Sequence, residues 1–139
     1  MQKVLFVCGD NLGRSQVAEA LFNRRAKGSS AGSCAGKPEI KEKRKLREVP
    51  FEAVKEVIEI MKSDYGIDMS NNISKPFSTE MVRRADKVVT LCAENECPNI
   101  AGAEHWDIPK FSQLDREEKR NAIRMLAEKV EALLKQMGE

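Results

Sequence analysis

Residues 3–26, KVLFVCGDNLGRSQVAEALFNRRA, constrain the fold more than any other stretch of the chain. Lys3-Val4-Leu5-Phe6-Val7 is a short apolar, partly β-branched run of the kind that fills a central parallel strand. Cys8-Gly9-Asp10-Asn11-Leu12-Gly13 then brings two glycines and an Asp-Asn pair, residues that tolerate positive φ in a tight loop. From Arg14 the chain turns to good helix formers, with apolar residues at 17, 18, 21 and 22.

A curled loop that closes on a helix N-terminus is suited to holding an anion. Backbone N–H groups from Gly9, Asp10, Asn11, Leu12 and Gly13 converge, and the helix dipole adds about half a positive charge at the same place. Arg14 stands where its planar fork can grip two oxygens of a tetrahedral oxyanion. Cys8, in the same positive field, is favoured as thiolate. Ser15 either caps the helix or donates its hydroxyl to that thiolate. A nucleophile beneath a bound tetrahedral oxyanion implies displacement at phosphorus or a similar centre.

The remaining chain reads as an alternation of helices and short strands. The first helix is expected to end near Lys27-Gly28, followed by a small-residue strand over 29–33 and an inert Cys34. Residues 37–49, with six basic and three acidic side chains, read as a solvated loop. Pro50 opens a second helix with an apolar stripe at Phe51, Val54, Ile58, Met61 and Tyr65, ended by Gly66. Ser74-Lys75-Pro76 connects to a short helix from Ser78, and Val88–Leu91 makes a third strand. Ala103–Trp106 makes a fourth, and a long amphipathic helix runs from Leu114. This pattern predicts one α/β domain over 1–139, a doubly wound three-layer sandwich with a four-stranded parallel sheet and its site at the carboxyl edge.

Cys92 ends the third strand on the same edge as Cys8, and Cys97 follows five residues later. Zinc is one reading of this pair, but the spacing does not suit a knuckle, and His105 is the only histidine. A thiol relay suits it better: Cys92 attacks a modified Cys8, and Cys97 resolves the disulfide toward the surface. No metal site and no cofactor are expected. The net charge of +2 gives no field for nucleic acid, and no apolar run is long enough to span a membrane. Residues 4–7 are too short for a signal sequence, so the expected location is cytoplasmic, where reduced cysteines serve chemistry more often than structure.

Cys8-x-x-Asn11-x-x-Arg14-Ser15, followed by Gln16-x-Ala18-Glu19, resembles the phosphate loop of the low-molecular-weight protein tyrosine phosphatases and thioredoxin-coupled arsenate reductases. The likeness continues through Ser30–Ser33, Tyr65–Asp68, Ser74-Lys75-Pro76, Ala85–Thr90 and His105-Trp106-Asp107-Ile108-Pro109. It implies Cys8 as nucleophile, Arg14 and the loop amides as oxyanion ligands, Asn11 as the loop's brace and Ser15 as the thiolate's partner. The reductase branch implies Cys92 and Cys97 as second and third thiols, arsenate as substrate and thioredoxin as reductant. The phosphatase branch implies a phosphomonoester and hydrolysis of a phospho-cysteine. Relatives carry an Asp-Pro pair whose Asp protonates the leaving group, but here that position is Lys110. Asp107 is the nearest substitute and Asp115 a poorer one. Gly13 replaces a cysteine, Asp10 a frequent glycine, and the segment between Cys92 and Cys97 is short. The two further cysteines, and the scarcity of aromatics for a phosphotyrosine slot, favour the reductase. A non-catalytic oxyanion-binding thiol module is the third reading.

Overall fold

The computed structural model describes residues 2–26, 30–92 and 97–138. Four strands, β1 (Lys3–Val7), β2 (Ala31–Ala35), β3 (Lys87–Thr90) and β4 (Glu104–His105), form one sheet in the order β2-β1-β3-β4. Every pairing is parallel. The helices are α1 (Arg14–Arg25), α2 (Glu52–Tyr65), α3 (Thr79–Arg84) and α4 (Arg116–Gln136). The doubly wound α/β sandwich expected from the sequence is the observed fold.

Alternation along β1 explains the layers. Val4, Phe6 and Cys8 face the larger core, which α1, α2 and α4 close, while Leu5 and Val7 face a smaller one with Phe77, Met81 and Val82. Both faces are therefore covered, as a parallel sheet requires. The chain leaves β1 toward β2 on one side and later returns to β3 on the other. The carboxyl end of β1 is thus the point where strand order reverses, and there the sheet edge opens a crevice. Among the described residues no helix is long and apolar enough to cross a membrane.

Several boundaries differ from expectation. α1 ends at Arg25 with Ala26 as its cap, and the expected Gly28 cap lies outside the described residues. β2 extends through Ala35, so Cys34 is a strand residue rather than the residue after one. In α2 the buried face is Val54, Val57, Ile60 and Met61, while Phe51 caps the helix with about half its surface exposed. Gly66 does end α2, at φ 68°. Residues 37–49 are not wholly solvated, because Leu46 and Val49 are buried around a 3-10 turn at Leu46–Glu48.

The α2–α4 contact carries a buried charge. Lys119 is 3% exposed, and its Nζ donates to Glu56 Oε1 at 2.9 Å and to the Leu114 carbonyl. Arg116–Glu59 and Arg120–Asp64, each at 3.0 Å, flank it at the surface. Glu56→Ala leaves the ammonium buried without its carboxylate, whereas Glu59→Ala removes only a screened pair. Urea unfolding is expected to show a loss of about 2–3 kcal/mol for the first and about 0–1 kcal/mol for the second. Equal losses would show that the buried lysine draws nothing special from Glu56.

Candidate active site

Residues 9–13 are a succession of bends that leads from β1 into α1, a curled loop rather than an extended one. Their carbonyls are taken up from outside. Gly9 O accepts from Lys37 N at 2.9 Å, Asp10 O from Ser74 Oγ at 3.0 Å, and Asn11 O from Gln16 Nε2 at 3.1 Å. A trans peptide sets each following N–H on the opposite side, so the amides of Asp10, Asn11 and Leu12 turn away from those partners. Asn11 makes the bend with φ 57°, a left-handed conformation that asparagine tolerates better than most residues.

The orientation of the Asn11 amide follows from its partners. Lys75 N, which can only donate, reaches Oδ1 at 2.9 Å, and Gln16 Nε2 donates to the same oxygen at 3.1 Å. Asn11 Nδ2 therefore faces Ser15 and donates to its Oγ at 2.7 Å. Ser15 Oγ, accepting there, stands 2.9 Å from Cys8 Sγ, with its own proton available to the sulfur. Ser15 thus serves the sulfur. It does not cap the helix, since α1 has no side-chain cap bond. Asn11, Ser15 and Gln16 are fully buried and Cys8 is 3% exposed. The chain of side chains therefore ends on the Cys8 sulfur, at the wall of the smaller cavity.

Arg14 is the first residue of α1 and 7% exposed, with Nη1 donating to the Ile108 carbonyl at 3.1 Å. Two cavities meet at this point. A smaller one of about 110 Å³ is walled by Cys8, Leu12, Gly13, Phe51, Val54 and Phe111 among others. A larger one of about 560 Å³ includes Gly9, Lys37, Glu39, Phe77, Cys97 and Asn99. Asp10, Arg14 and Lys110 line both. The aromatic walls that the composition argued against are present, as Phe51 and Phe111 of the smaller cavity.

The structure brings Cys8, Gly9, Asp10, Leu12, Gly13, Arg14 and Cys97 to the cavity walls, with Asn11 and Ser15 bracing the loop from behind. Asp107 is not brought there: it is exposed and lines neither cavity, because Ile108 and Phe111 take the inward positions of this segment. Asp115 caps α4, accepting from Glu118 N at 2.8 Å. Of this segment, Lys110, Phe111 and Ser112 line the smaller cavity, and Lys110 lines the larger one as well.

The four cysteines divide cleanly. Cys8 and Cys34 are free thiols, and Cys92 is joined to Cys97 in a disulfide. β1 and β3 are hydrogen-bonded neighbours with Val7 opposite Thr90, and Leu91 N donates to Val7 O at 2.8 Å. Cys8 and Cys92 therefore leave adjacent strand ends into the same core cluster. Burial, reinforced by the charge of Glu19, pushes the Cys34 thiol up to about 12, which keeps it neutral despite Lys75 Nζ at 3.5 Å.

Sequence reasoning missed the buttress. Ser74 and Lys75, read only as a connecting loop, brace Asp10 and Asn11 across 64 residues of sequence. Gly36 permits a comparable approach, since a Cβ there would stand 2.8 Å from the Gly9 carbonyl and would collide with Ile40 Cδ1. No local pattern announces either contact.

Residues 3–139 match the model of the low molecular weight phosphotyrosine protein phosphatases. The arsenate reductase of Bacillus subtilis (strain 168) is 31% identical over 143 aligned residues, covering 98% of this chain and 94% of that one. Among solved structures, the thioredoxin-dependent arsenate reductase of Corynebacterium glutamicum superposes with a TM-score of 0.70 at 26% identity, covering 100% of this chain and 64% of that one. The low molecular weight protein tyrosine phosphatase of T. tengcongensis has the same fold, with a TM-score of 0.79 at 23% identity over 98% of this chain and 99% of that one. Matched over residues 3–139, the chain belongs to the low molecular weight phosphotyrosine protein phosphatase family and is an enzyme of that family.

Proposed function

We propose that this enzyme reduces arsenate to arsenite through three thiols, with a thioredoxin-type dithiol protein as final reductant. The Cys92–Cys97 disulfide beside a free Cys8 carries this reading, because it is the pairing in which such a relay ends. Cys8 Sγ attacks arsenic held by the loop amides and Arg14. An S–As bond forms, and one oxygen departs as water with a proton from solvent. The Cys92 thiolate then attacks Cys8 Sγ. The new S–S bond displaces arsenic, which keeps the S–As electron pair and leaves as arsenite, reduced by two electrons. Cys97 attacks Cys92, Cys8 is released as thiolate, and the external dithiol reduces the remaining disulfide.

The smaller cavity favours a second reading. Leu12, Phe51, Val54, Val57 and Phe111 form an apolar slot beside Cys8 that suits the leaving group of an aryl phosphomonoester. The third reading, an oxyanion-binding module without turnover, has no comparable observation behind it.

Arsenate reduction coupled to thioredoxin, thioredoxin reductase and NADPH, run beside p-nitrophenyl phosphate hydrolysis, separates these readings. Cys92→Ser and Cys97→Ser are each expected to lower coupled arsenate turnover at least about 100-fold, because the first forms no Cys8–Cys92 disulfide and the second leaves that disulfide between two buried sulfurs, out of the reductant's reach. Hydrolysis should be nearly unchanged in both. Full arsenate turnover in either variant would overturn the relay and leave the phosphatase reading.

A further inference from the structure

Lys110 occupies an unusual position for a surface lysine. Two residues before it, the Ile108 carbonyl accepts from Arg14 Nη1 at 3.1 Å. One residue after it, the Phe111 ring lies against the end of the loop, where a Cβ on Gly13 would come within 2.9 Å of the ring. Ile108 and Phe111 are both buried. The backbone of Lys110 is therefore fixed to the oxyanion loop on both sides. Its half-buried side chain stands at the junction of the two cavities.

The charges at that junction are unevenly distributed. Arg14 and Lys110 line both cavities, and Lys37 and Glu39 line the larger one alone. Among the described residues the carboxylate lining both cavities is Asp10, and its Oδ1 lies 3.9 Å from Lys37 Nζ, on the side of the larger cavity. A tetrahedral anion held above Cys8 by the loop amides and Arg14 through three oxygens would leave its fourth substituent for the residues that line both cavities. A lysine is a compact point charge with three donors, well matched to one further oxygen and poorly matched to a carbon substituent.

We propose that Lys110 is a specificity-determining residue that binds the fourth oxygen of a free inorganic oxyanion, so that the site prefers phosphate- or arsenate-like ions to their organic derivatives. This deepens the reductase reading and rests on it for its biological meaning, though its test needs no turnover. The smaller cavity still accepts an apolar fourth substituent, but such a ligand forgoes the lysine's contact.

Binding is measured on the reduced protein by protection of Cys8 from alkylation with iodoacetate. The probes are inorganic phosphate and phenylphosphonate, at a mildly alkaline pH where both are mainly dianions. Their similar charge makes the general attraction of a cation nearly cancel between them. Lys110→Met is expected to weaken phosphate about tenfold, the size of one charge-assisted hydrogen bond, and phenylphosphonate no more than about twofold. Lys110→Arg should restore most of the phosphate affinity. Unchanged phosphate binding in Lys110→Met, or equal weakening of both probes, would overturn the proposal. Because the readout is protection alone, an enzyme that failed to reduce arsenate would still reveal whether Lys110 selects between the two anions. Conversely, a full loss of preference in Lys110→Met would not rescue a failed relay.

Discussion

Cys8→Ser is expected to lower turnover by about 10⁴-fold or more in both arsenate reduction and phosphomonoester hydrolysis, while inorganic phosphate binds at least as tightly as before. The first half follows from the hydrogen-bond chain. Asn11 Nδ2 donates to Ser15 Oγ, and Ser15 passes its own proton toward position 8. That arrangement holds the attacking atom of residue 8 in place beside the loop. A serine hydroxyl there stays protonated, and the same chain offers it donors where a weak nucleophile needs a base. The second half follows from what the substitution leaves alone. The carbonyls of Gly9, Asp10 and Asn11 keep their outer partners, so the loop keeps its curl. Arg14 keeps its place, and the anion meets a smaller oxygen in place of the sulfur. Titration calorimetry with phosphate and steady-state kinetics check both halves. Residual turnover within tenfold of the original would remove Cys8 from the chemistry. Lost phosphate binding would show that the thiol, rather than the amides, shapes the loop.

The parts of this site that were legible in the sequence are those whose causes are local. An apolar run, a Gly-Asp-Asn-x-Gly loop and a series of helix formers each specify their own conformation, and they agree over residues 3–26. The same holds for Ser78, which caps α3, and for Gly66, which closes α2. Where two patterns overlap, sequence alone does not choose. Apolar residues at 51, 54, 57, 58, 60, 61 and 65 trace two helical stripes, and the core selects 54, 57, 60 and 61. Phe51 is left to the cavity wall. Around Asp107 the difficulty is different. Between β4 and the 3-10 turn at Phe111–Gln113 the backbone has no period, so spacing cannot say which side chain turns inward. Burial of Ile108 and Phe111 decides the matter and carries Lys110 to the wall. Charge alone also misleads over Lys119, which stands one turn before Ile123 on the buried face of α4 and pairs there with Glu56.

Asn11→Ala should damage stability and chemistry together, and the comparison with Ser15→Ala separates the two effects. The asparagine is fully buried at φ 57° and makes three side-chain bonds: to Ser15 Oγ, from Gln16 Nε2 and from Lys75 N. Alanine removes all three, leaves the Lys75 amide without its acceptor, and holds a β-carbon at positive φ without the local bonding that favours asparagine there. Unsatisfied buried donors cost about 1–3 kcal/mol each, and the backbone penalty is about 1 kcal/mol. Gln16 Nε2 retains the Asn11 and Ile73 carbonyls, each at 3.1 Å, which limits the damage on that side. A total near 3–4 kcal/mol is expected by urea unfolding. Turnover should fall about 100-fold, because the Ser15 hydroxyl is no longer held with its proton on Cys8 Sγ. Ser15→Ala breaks the same path to sulfur but leaves Asn11 bound to Lys75 and Gln16. It should lower turnover by a similar factor at a cost of only about 1 kcal/mol. If Ser15→Ala turned over normally while Asn11→Ala did not, the asparagine would act by shaping the loop, and the proton path to Cys8 would have no part in the chemistry.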